Sequence, residues 1–385
     1  MIRYLSAGES HGPQLTVILE GLPSRLKLSK EVIDEQLRRR QQGYGRGRRM
    51  QIESDSAEIT SGVRFGYTLG TPITIHIANR DFKNWTDRMA VWDDPPENLK
   101  EVTRPRPGHA DLAGAIKYDH EDIRNVLERA SARNTATMVA AGAVARQLLT
   151  QVGITVAAHV VELGSVKVTA VPDDIGTILQ RVEQSEVRVA DAGVEAEMKA
   201  QIDLAKEHGD TVGGVFEVIV EGCPVGLGSF AHPDRRLDGR LAAAMMSIQA
   251  IKGVEIGLGF EAARRFGSKV HDAIHYQHFS YVRPSNSAGG LEGGVTNGQP
   301  VVLRCAMKPI STLYHPLESV DMKTKEPQLA AVERSDYCAV PAASVVAENV
   351  AAWVIADAFL EKFGSDSLEQ VQENLQAYGK RVSRR

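Results

Sequence analysis

The sequence has 385 residues, of which 43% are hydrophobic and 24% are charged, and its formal net charge is −4. These proportions are typical of a soluble globular protein, and the negative charge argues against a general nucleic-acid binder. The three cysteines form no CxxC motif, and no stretch predicts a signal peptide or a membrane span, so we expect a cytoplasmic protein.

The first 28 residues predict two strands joined by a glycine-flanked loop, with the sequence GESHG at 8–12. A histidine on such a loop, here His11, is more often exposed or in a cleft than in a core. Ser29 then offers an N-cap for a helix that Gly43 ends. The chain therefore begins with a strand-loop-strand unit followed by one helix.

Arginines are concentrated at the end of this helix and in the loop after it. The helix dipole favours cations at a C-terminus, but it accounts only for the first three. A nucleic-acid site would need stacking aromatics, and Tyr44 is the only one nearby. A small, highly charged ligand fits best, because guanidinium groups bind phosphate and carboxylate through paired hydrogen bonds. The arginines are Arg38, Arg39, Arg40, Arg46, Arg48 and Arg49.

Short strands are predicted between 51 and 92, followed by a polar loop with tryptophan that suggests a lid or an interface segment. In the next stretch, RPRPGHAD at 104–111, two prolines hold the backbone extended and Gly108 allows a sharp turn. His109 is thereby placed beside Arg104 and Arg106. We expect these cations to hold the imidazole largely neutral and to hold an anion that receives its proton. A stiff surface loop before a salt-bridged helix is the competing explanation.

A helix is predicted from Asp119 to about Leu149. Arg129 and Arg133 are four residues apart, so they would share one face, with small residues between them that leave room for a ligand. Two polar helices near 173–187 and 191–208, a strand at 212–222 and a helix at 233–253 follow. Pro341 is well placed as the first residue of an apolar helix through 363, and a polar helix ends the chain.

Further possible sites lie after residue 250. A GxG at 257–259 is an incomplete dinucleotide fingerprint. The spacing of His271, His275 and His278 would suit a metal on a helix, but a polar surface segment is favoured because no ligand set is complete. The glycine-rich loop at 283–299 lets backbone N–H groups approach an anion, and KPIST at 308–312 offers further phosphate ligands. Arg334 and Asp336 are read as a possible structural pair.

Together these motifs resemble the chorismate synthase family, from the N-terminus to at least residue 363. The resemblance rests on eight blocks in the right order: GESHG at 8–12, RRRQQGYGRGRRM at 38–50, RPRPGHAD at 104–111, ERASARNTA at 128–136, QAIKGVEIG at 249–257, SNSAGGLEGG at 285–294, KPIST at 308–312 and ERSDYCAVPA at 333–342.

The resemblance implies a lyase that removes phosphate and a ring proton from 5-enolpyruvylshikimate 3-phosphate by anti-1,4-elimination, giving chorismate. It implies that His11 protonates the reduced flavin, that His109 protonates the departing phosphate, and that Asp336 helps flavin N5 to accept the substrate proton. Ser10 and Ser131 are implied as proton-relay partners. The implied substrate-binding residues are Arg39, Arg40, Arg46, Arg48, Arg106, Arg129, Arg133 and Arg334.

The implied cofactor is reduced FMN, with NADPH only an indirect source of reduced flavin and no metal. The implied fold is α+β, a β-α-β sandwich with a helical layer between antiparallel sheets, in a single domain over 1–385 with a peripheral tail from about 365. A homotetramer that binds no nucleic acid or membrane is expected. The implied flavin-binding residues are Arg40, Arg46, Arg129, Ala130, Ser131, Gln249, Ala250, Gly293, Lys308, Pro309, Ile310, Ser311, Thr312 and Arg334.

Other functions were weighed against this expectation. A nicotinamide oxidoreductase would need a complete fingerprint after a strand, and an RNA-binding protein would need more positive charge and more stacking aromatics. A non-catalytic binding protein for a phosphorylated polyanion is harder to exclude from arginines alone. Two histidines and an aspartate in the family positions favour catalysis.

Overall fold

The structure is a computed structural model that describes residues 1–47, 54–172, 174–278 and 280–384; Arg48 and Arg49 lie outside the described residues. The α-helices in these ranges are α1 Lys30–Gln41, α2 Asp111–Tyr118, α3 Arg124–Ala130, α4 Thr135–Gln151, α5 Ile175–Gln184, α6 Glu195–Glu207, α7 Leu237–Met246, α8 Val340–Phe363 and α9 Leu368–Val382.

The strands in the same ranges are β1 Arg3–Ala7, β2 Gln14–Glu20, β3 Ala57–Ser61, β4 Val63–Arg64, β5 Tyr67–Thr68, β6 Ile73–Ala78, β7 Thr155–Leu163, β8 Val166–Lys167, β9 Gly214–Glu221, β10 Ile251–Ile256, β11 His275–Gln277, β12 Ser280–Val282, β13 Leu291–Glu292, β14 Val295–Thr296, β15 Val301–Met307, β16 Glu318–Val320 and β17 Pro327–Leu329.

Two antiparallel sheets enclose a layer of helices. The first sheet has the strand order β1-β2-β6-β3, and the second has the order β10-β15-β9-β7-β8. Helices α4 and α8 pack closely on each other; α4 also contacts β2 and β6, while α8 contacts β7 and β9. The predicted β-α-β sandwich is therefore confirmed. The prediction of a single domain stays a prediction, although one cluster of buried hydrophobic residues reaches from Ile2 to Val371.

The contact between α4 and α8 depends on a glycine. A Cβ atom added at Gly142 would lie 2.3 Å from the carbonyl oxygen of Asn349, so only glycine lets the two helices approach this closely. By length and composition α8 could cross a membrane, but 83% of its most apolar window is buried inside the protein. We therefore assign it as the central core helix.

The predicted helix over 119–149 is wrong in its first half. Asp119 instead ends α2, which the sequence analysis missed, and the chain breaks between α3 and α4. At the break Ser131 has φ −59° and ψ 143°, and its hydroxyl accepts a hydrogen bond from the backbone N–H of Arg133. Serine competes well for such local hydrogen bonds, and it starts a new helical turn here. Arg129 and Arg133 therefore do not share one helix face.

The predicted helix over 233–253 is too long. Helix α7 ends at Met246, and the chain turns over 247–250 before it forms β10, which pairs with β15. The residues of β10, IKGVEI, include a glycine and three β-branched residues, which favour a strand over a helix once β15 is available for pairing. The segment with His271, His275 and His278 is also not helical, since His275 lies in the ribbon of β11 and β12. In the described ranges no group of three or more His, Cys, Asp or Glu residues is arranged to hold a metal ion.

Candidate active site

The first functional cluster is built around His11. Its Nδ1 lies 2.8 Å from Oε1 of Glu128, and its backbone N–H donates to Oε2 of the same carboxylate at 2.7 Å. The backbone N–H of Ser10 donates to the carbonyl of Glu128 at 3.1 Å. Arg124 binds the same carboxylate at 3.1 Å and also binds Glu333 at 2.9 Å. Both His11 and Glu128 are buried, so the GESHG loop is anchored to α3.

Trp85, from the loop predicted to be a lid, covers one face of His11. The two ring centroids are 4.0 Å apart with an interplanar angle of 30°. The indole N–H donates to Asp81 at 3.2 Å, and Arg124 lies over the indole ring at 5.1 Å from its centroid. Asp81 also pairs with Arg334 at 3.3 Å. The loop therefore forms part of the His11 cluster.

The second cluster is built around His109. Its Nδ1 lies 2.5 Å from Oδ1 of Asp111, and Nη2 of Arg106 lies 3.1 Å from the same nitrogen. Arg106 also holds Asp111 through its Nε at 2.8 Å and donates to Thr312 at 2.8 Å. Arg104 is exposed, and its carbonyl accepts a hydrogen bond from the N–H of Ala331.

The expectation that cations dominate around His109 is therefore wrong, because Asp111 places a carboxylate against the imidazole. Burial acts to raise the pKa of the Asp111 carboxyl, but hydrogen bonds from His109 and Arg106 outweigh it and hold the pKa below its usual range. An ionised Asp111 accepts from both partners, so the imidazole is oriented by an anion as well as a cation.

The two clusters stand on adjacent helices. Asp111 is the first residue of α2, and Glu128 lies in α3. These helices pack where a Cβ at Gly114 would lie 2.4 Å from a methyl group of Val126. The loop at 102–106 is tied to the start of α3 because the backbone N–H of Val102 donates to the side-chain carboxylate of Asp122 and its carbonyl accepts from the N–H of Ile123.

Two arginines share a third, fully buried site. Arg40 and Arg133 bind Asp55 at 2.7 Å and 2.6 Å. Arg133 also donates to Asn79, whose amide in turn donates to the carbonyl of Gly12 in the GESHG loop. Burial acts to raise the pKa of Asp55, but the two arginines outweigh it and lower that pKa. Two cations share one anion here, so the group carries an excess positive charge.

Asp336 is held by the arginine-rich loop and not by Arg334. Its Oδ2 lies 2.7 Å from Nη1 of Arg46, and its Oδ1 accepts from the backbone N–H of Gly47 at 2.6 Å. The predicted pair between Arg334 and Asp336 is therefore wrong. The backbone N–H of Tyr337 donates to the carbonyl of Gly45, which fixes this end of the loop against 333–338.

Arg39 lies in the core, and this location argues against its predicted role in substrate binding. Its guanidinium pairs with Glu348 at 2.7 Å and with Glu183 at 2.6 Å, and its side chain is only 5% exposed. Glu348 is fully buried and also holds Arg146 and Arg188. Arg39 and Arg40 have different partners because neighbouring positions on α1 point 100° apart.

The KPIST segment lies against the His109 loop. A Cβ at Gly108 would lie 3.6 Å from the Ser311 side chain and 3.7 Å from Nζ of Lys308. The backbone N–H of Lys308 donates to the carbonyl of Ala250 at 3.0 Å. Pro309 and Ile310 follow in the same segment, and the carbonyl of Ile310 accepts from the hydroxyl of Thr211.

The other expected flavin residues are spread more widely. Arg129 donates to the carbonyls of Ser6 and Gly8, and Ala130 and Ser131 follow it at the end of α3. Within the described residues, the oxygen of Gln249 is buried without a hydrogen-bond partner. Gly293 lies in the turn between β13 and β14. Within the described residues, a Cβ atom added there would meet only Phe230 within 4 Å, and Phe230 belongs to neither histidine cluster.

Sequence reasoning missed the residues that orient the candidate acids. Asp111 stands two positions after His109, so its proximity was readable from the sequence. Glu128 and Trp85 lie in segments that had been singled out, but nothing local links either to His11, which is 117 residues from Glu128. Nothing in the sequence around Asp55 predicted its role, because it meets Arg40 and Arg133 only in the folded structure.

Comparisons with known proteins indicate the family of this chain. The family model described as chorismate synthase matches residues 2–360. The chain is 57% identical over 385 residues to "Chorismate synthase 2" of Bacillus thuringiensis subsp. konkukian (strain 97-27), covering 98% of this chain and 99% of that protein. It is 58% identical to "Chorismate synthase" of Geobacillus kaustophilus (strain HTA426), with 97% and 98% covered. A solved structure titled "Crystal Structure of Chorismate Synthase" is 46% identical, with a TM-score of 0.81 and coverage of 100% and 99%.

Proposed function

The chain belongs to the chorismate synthase family, and we propose that it uses the His11 and His109 clusters for that family's reaction. The family acts as a lyase in the last step of the shikimate pathway, where phosphate and a ring proton leave 5-enolpyruvylshikimate 3-phosphate and chorismate forms. The observation that carries the assignment of residues is that each of the two histidines is held by a buried carboxylate next to an arginine.

The substrate has one phosphate and two carboxylates, so its site must supply excess positive charge. Arg40 and Arg133 share one carboxylate, which leaves one buried positive charge that a substrate anion would neutralise. We assign Arg106 and Arg46 to the remaining anionic groups, with Arg334 and Arg129 at the edge. Arg48 stays a proposal from the sequence alone.

The residues present fit reduced FMN, the cofactor that we propose. Burial and the nearby Lys252 lower the pKa of Lys308, and within the described part of the chain its Nζ makes one long hydrogen bond, to the carbonyl of Pro309 at 3.4 Å. Such a partly dehydrated ammonium suits a phosphate. With Ser311, Thr312, Gln249 and the backbone of Ala250 nearby, this segment would hold the cofactor. When bound, the reduced flavin supplies the electron density that assists loss of phosphate.

The chain's own residues would move the protons. His109 donates to the departing phosphate, with Asp111 and Arg106 fixing its ring. His11 would hold a proton on its imidazole ready for the cofactor, and Asp336 would help to receive the ring proton, with Ser10 and Ser131 as relays. Each oxygen of Asp336 already accepts one hydrogen bond, from Arg46 and from the backbone N–H of Gly47, so these two residues fix the orientation of the carboxylate.

An anaerobic assay tests this function. Purified protein is mixed with chemically reduced FMN and 5-enolpyruvylshikimate 3-phosphate, and released phosphate and chorismate are measured. Equal yields of both are expected. Tight binding of the substrate by folded protein without any phosphate release would favour the alternative, a non-catalytic binding protein for a phosphorylated polyanion.

We expect Arg46→Ala to weaken substrate binding by about 1.5–3 kcal/mol, because it removes a hydrogen-bond donor that carries a full charge. The measurement is the dissociation constant from calorimetry with FMN present. Arg38→Ala is the matched control, since Arg38 belongs to the same group of arginines but is exposed and paired with Glu35. Equal dissociation constants for the Arg46 variant and the unaltered protein would show that Arg46 does not bind the substrate.

We expect Asp336→Asn to lower turnover while folding and FMN binding persist, because an amide cannot take up a proton. The measurements are kcat, the thermal midpoint and the dissociation constant for FMN. Asp203→Asn is the control, since Asp203 holds Tyr44 of the same loop at 2.9 Å without contacting Asp336. A lower midpoint with unchanged kcat would mean that Asp336 only anchors Arg46.

We also propose a cytoplasmic homotetramer, as the family resemblance implies. Size-exclusion chromatography with light scattering gives the mass of the assembly in solution.

A further inference from the structure

The imidazole of His11 is fixed on several sides. Its Nδ1 faces Oε1 of Glu128 at 2.8 Å and Oε2 at 3.1 Å, and its own backbone N–H binds the same carboxylate. Trp85 stacks on one ring face. In the ranges that the structure describes, every hydrogen bond of this ring involves Nδ1. The Nε2 edge is therefore the edge left for another group.

The charge state of Glu128 decides which nitrogen carries the proton. Burial acts to raise the pKa of Glu128, but the contacts with His11 and the hydrogen bond from Arg124 outweigh it and lower that pKa. An ionised carboxylate can only accept hydrogen bonds. An ionised Glu128 has no proton to donate, so Nδ1, which lies 2.8 Å from its Oε1, must be the donor in this contact. A neutral ring with its proton on Nδ1 has no proton on Nε2.

We propose that Glu128 is a positioning residue that holds neutral His11 in the Nδ1–H form, so that protons enter and leave the ring through Nε2. Arg124 takes part indirectly, because it neutralises Glu128 and ties it to Glu333. The catalytic consequence rests on the proposed function, in which His11 transfers a proton. The tautomer itself does not rest on it and can be measured in the absence of substrate.

The His109 cluster has a similar arrangement. There too a buried carboxylate, Asp111, faces Nδ1, and an arginine binds the carboxylate. Asp111 lies on α2, two residues from His109, whereas Glu128 lies on α3, 117 residues from His11. One local sequence motif therefore does not explain both contacts. A carboxylate that binds Nδ1–H fixes the ring and stabilises the imidazolium that forms when Nε2 takes a proton.

The test is side-chain nitrogen NMR of the full-length protein labelled with ¹⁵N-histidine, at a pH where the rings are neutral. His11→Gln identifies the His11 signals among those of the eleven histidines. The unaltered protein should show a protonated Nδ1 and a bare Nε2 at His11. In Glu128→Gln one carboxylate oxygen becomes an NH₂ donor. The backbone N–H of His11 lies 2.7 Å from Oε2 and Arg124 lies 3.1 Å from Oε1, so the amide oxygen should stay with the backbone N–H. The NH₂ group then faces Nδ1, and the ring should change to the Nε2–H form.

Two further variants separate this role from general disruption. Glu128→Asp keeps an ionised acceptor and should retain the Nδ1–H signature. Glu333→Gln removes the other partner of Arg124 but does not touch His11, so the His11 signals should stay as in the unaltered protein. An Nε2–H tautomer in the unaltered protein, or unchanged His11 signals in folded Glu128→Gln, would overturn the proposal.

Kinetics distinguish this inference from the proposed function. If both hold, Glu128→Gln should lower kcat by up to about 10⁴-fold, the loss found when the carboxylate of an Asp–His pair becomes an amide, with a smaller change in KM. If the unaltered protein released no phosphate, the proposed function would be contradicted, but the tautomer result would not be affected. Active protein with the opposite tautomer would sink only this inference.

Discussion

His109→Gln is expected to lower kcat by about 10²–10⁴-fold, the usual contribution of a general acid. Glutamine keeps a hydrogen-bond donor near Arg106 and Asp111 but cannot supply a proton to the leaving phosphate. Substrate binding should change much less, because Arg106 keeps its contacts with Asp111 and Thr312. The measurement is single-turnover phosphate release with reduced FMN, alongside the dissociation constant of the substrate.

The control for this change is His271→Gln. His271 is exposed and lies in the segment before β11, which contains none of the proposed site residues. Its kcat should match that of the unaltered protein. Near-normal turnover in His109→Gln would show that His109 only positions the phosphate and that water or another side chain provides the proton. A folded variant that no longer binds substrate would instead assign His109 to binding.

Glu348→Ala is expected to destabilise the protein by about 3–5 kcal/mol, the cost of breaking a buried ion pair from one side. The change removes the carboxylate that binds Arg39, Arg146 and Arg188, of which Arg39 and Arg188 keep an ion pair with Glu183. It also removes the acceptor for the N–H of Ala158 in β7. Urea unfolding at pH 7 measures the loss. Glu373→Ala, an exposed glutamate on α9, is the control and should change the unfolding free energy little.

The pH dependence of this loss has a defined sign. Burial acts to raise the pKa of Glu348, but the arginines outweigh it and lower the pKa to about 2. The folded value lies below the unfolded one of about 4.3, so the stabilisation is complete above that pH and is lost as the pH falls toward 2. The difference in unfolding free energy between Glu348→Ala and the unaltered protein should therefore shrink below about pH 4. A difference that stays constant down to pH 3 would contradict the assignment of an ionised Glu348.

Local pattern was enough for the elements whose signals lie within a few residues. Alternation of apolar residues predicted β2 and β9, Ser29 predicted the start of α1, and Pro341 marked the first turn of α8. The eight motifs also led to the family and its layered fold. The strands and helix ends depend on residue pattern and capping, which the chain encodes locally, whereas the layered fold was implied by the family resemblance.

The long-range partners were decided only by the tertiary structure. Helix 119–149 was divided at Ser131, and the end of the predicted helix at 233–253 became β10 because β15 lies beside it. Arg39 and Arg40 are adjacent in the sequence, yet one pairs with Glu348 in the core and the other with Asp55. Likewise the sequence alone determined that His11 and His109 are present, whereas packing decided that Glu128 and Asp111 orient them. The reason is physical: which charges meet depends on how helices and sheets pack, and that packing brings together residues that no local pattern relates.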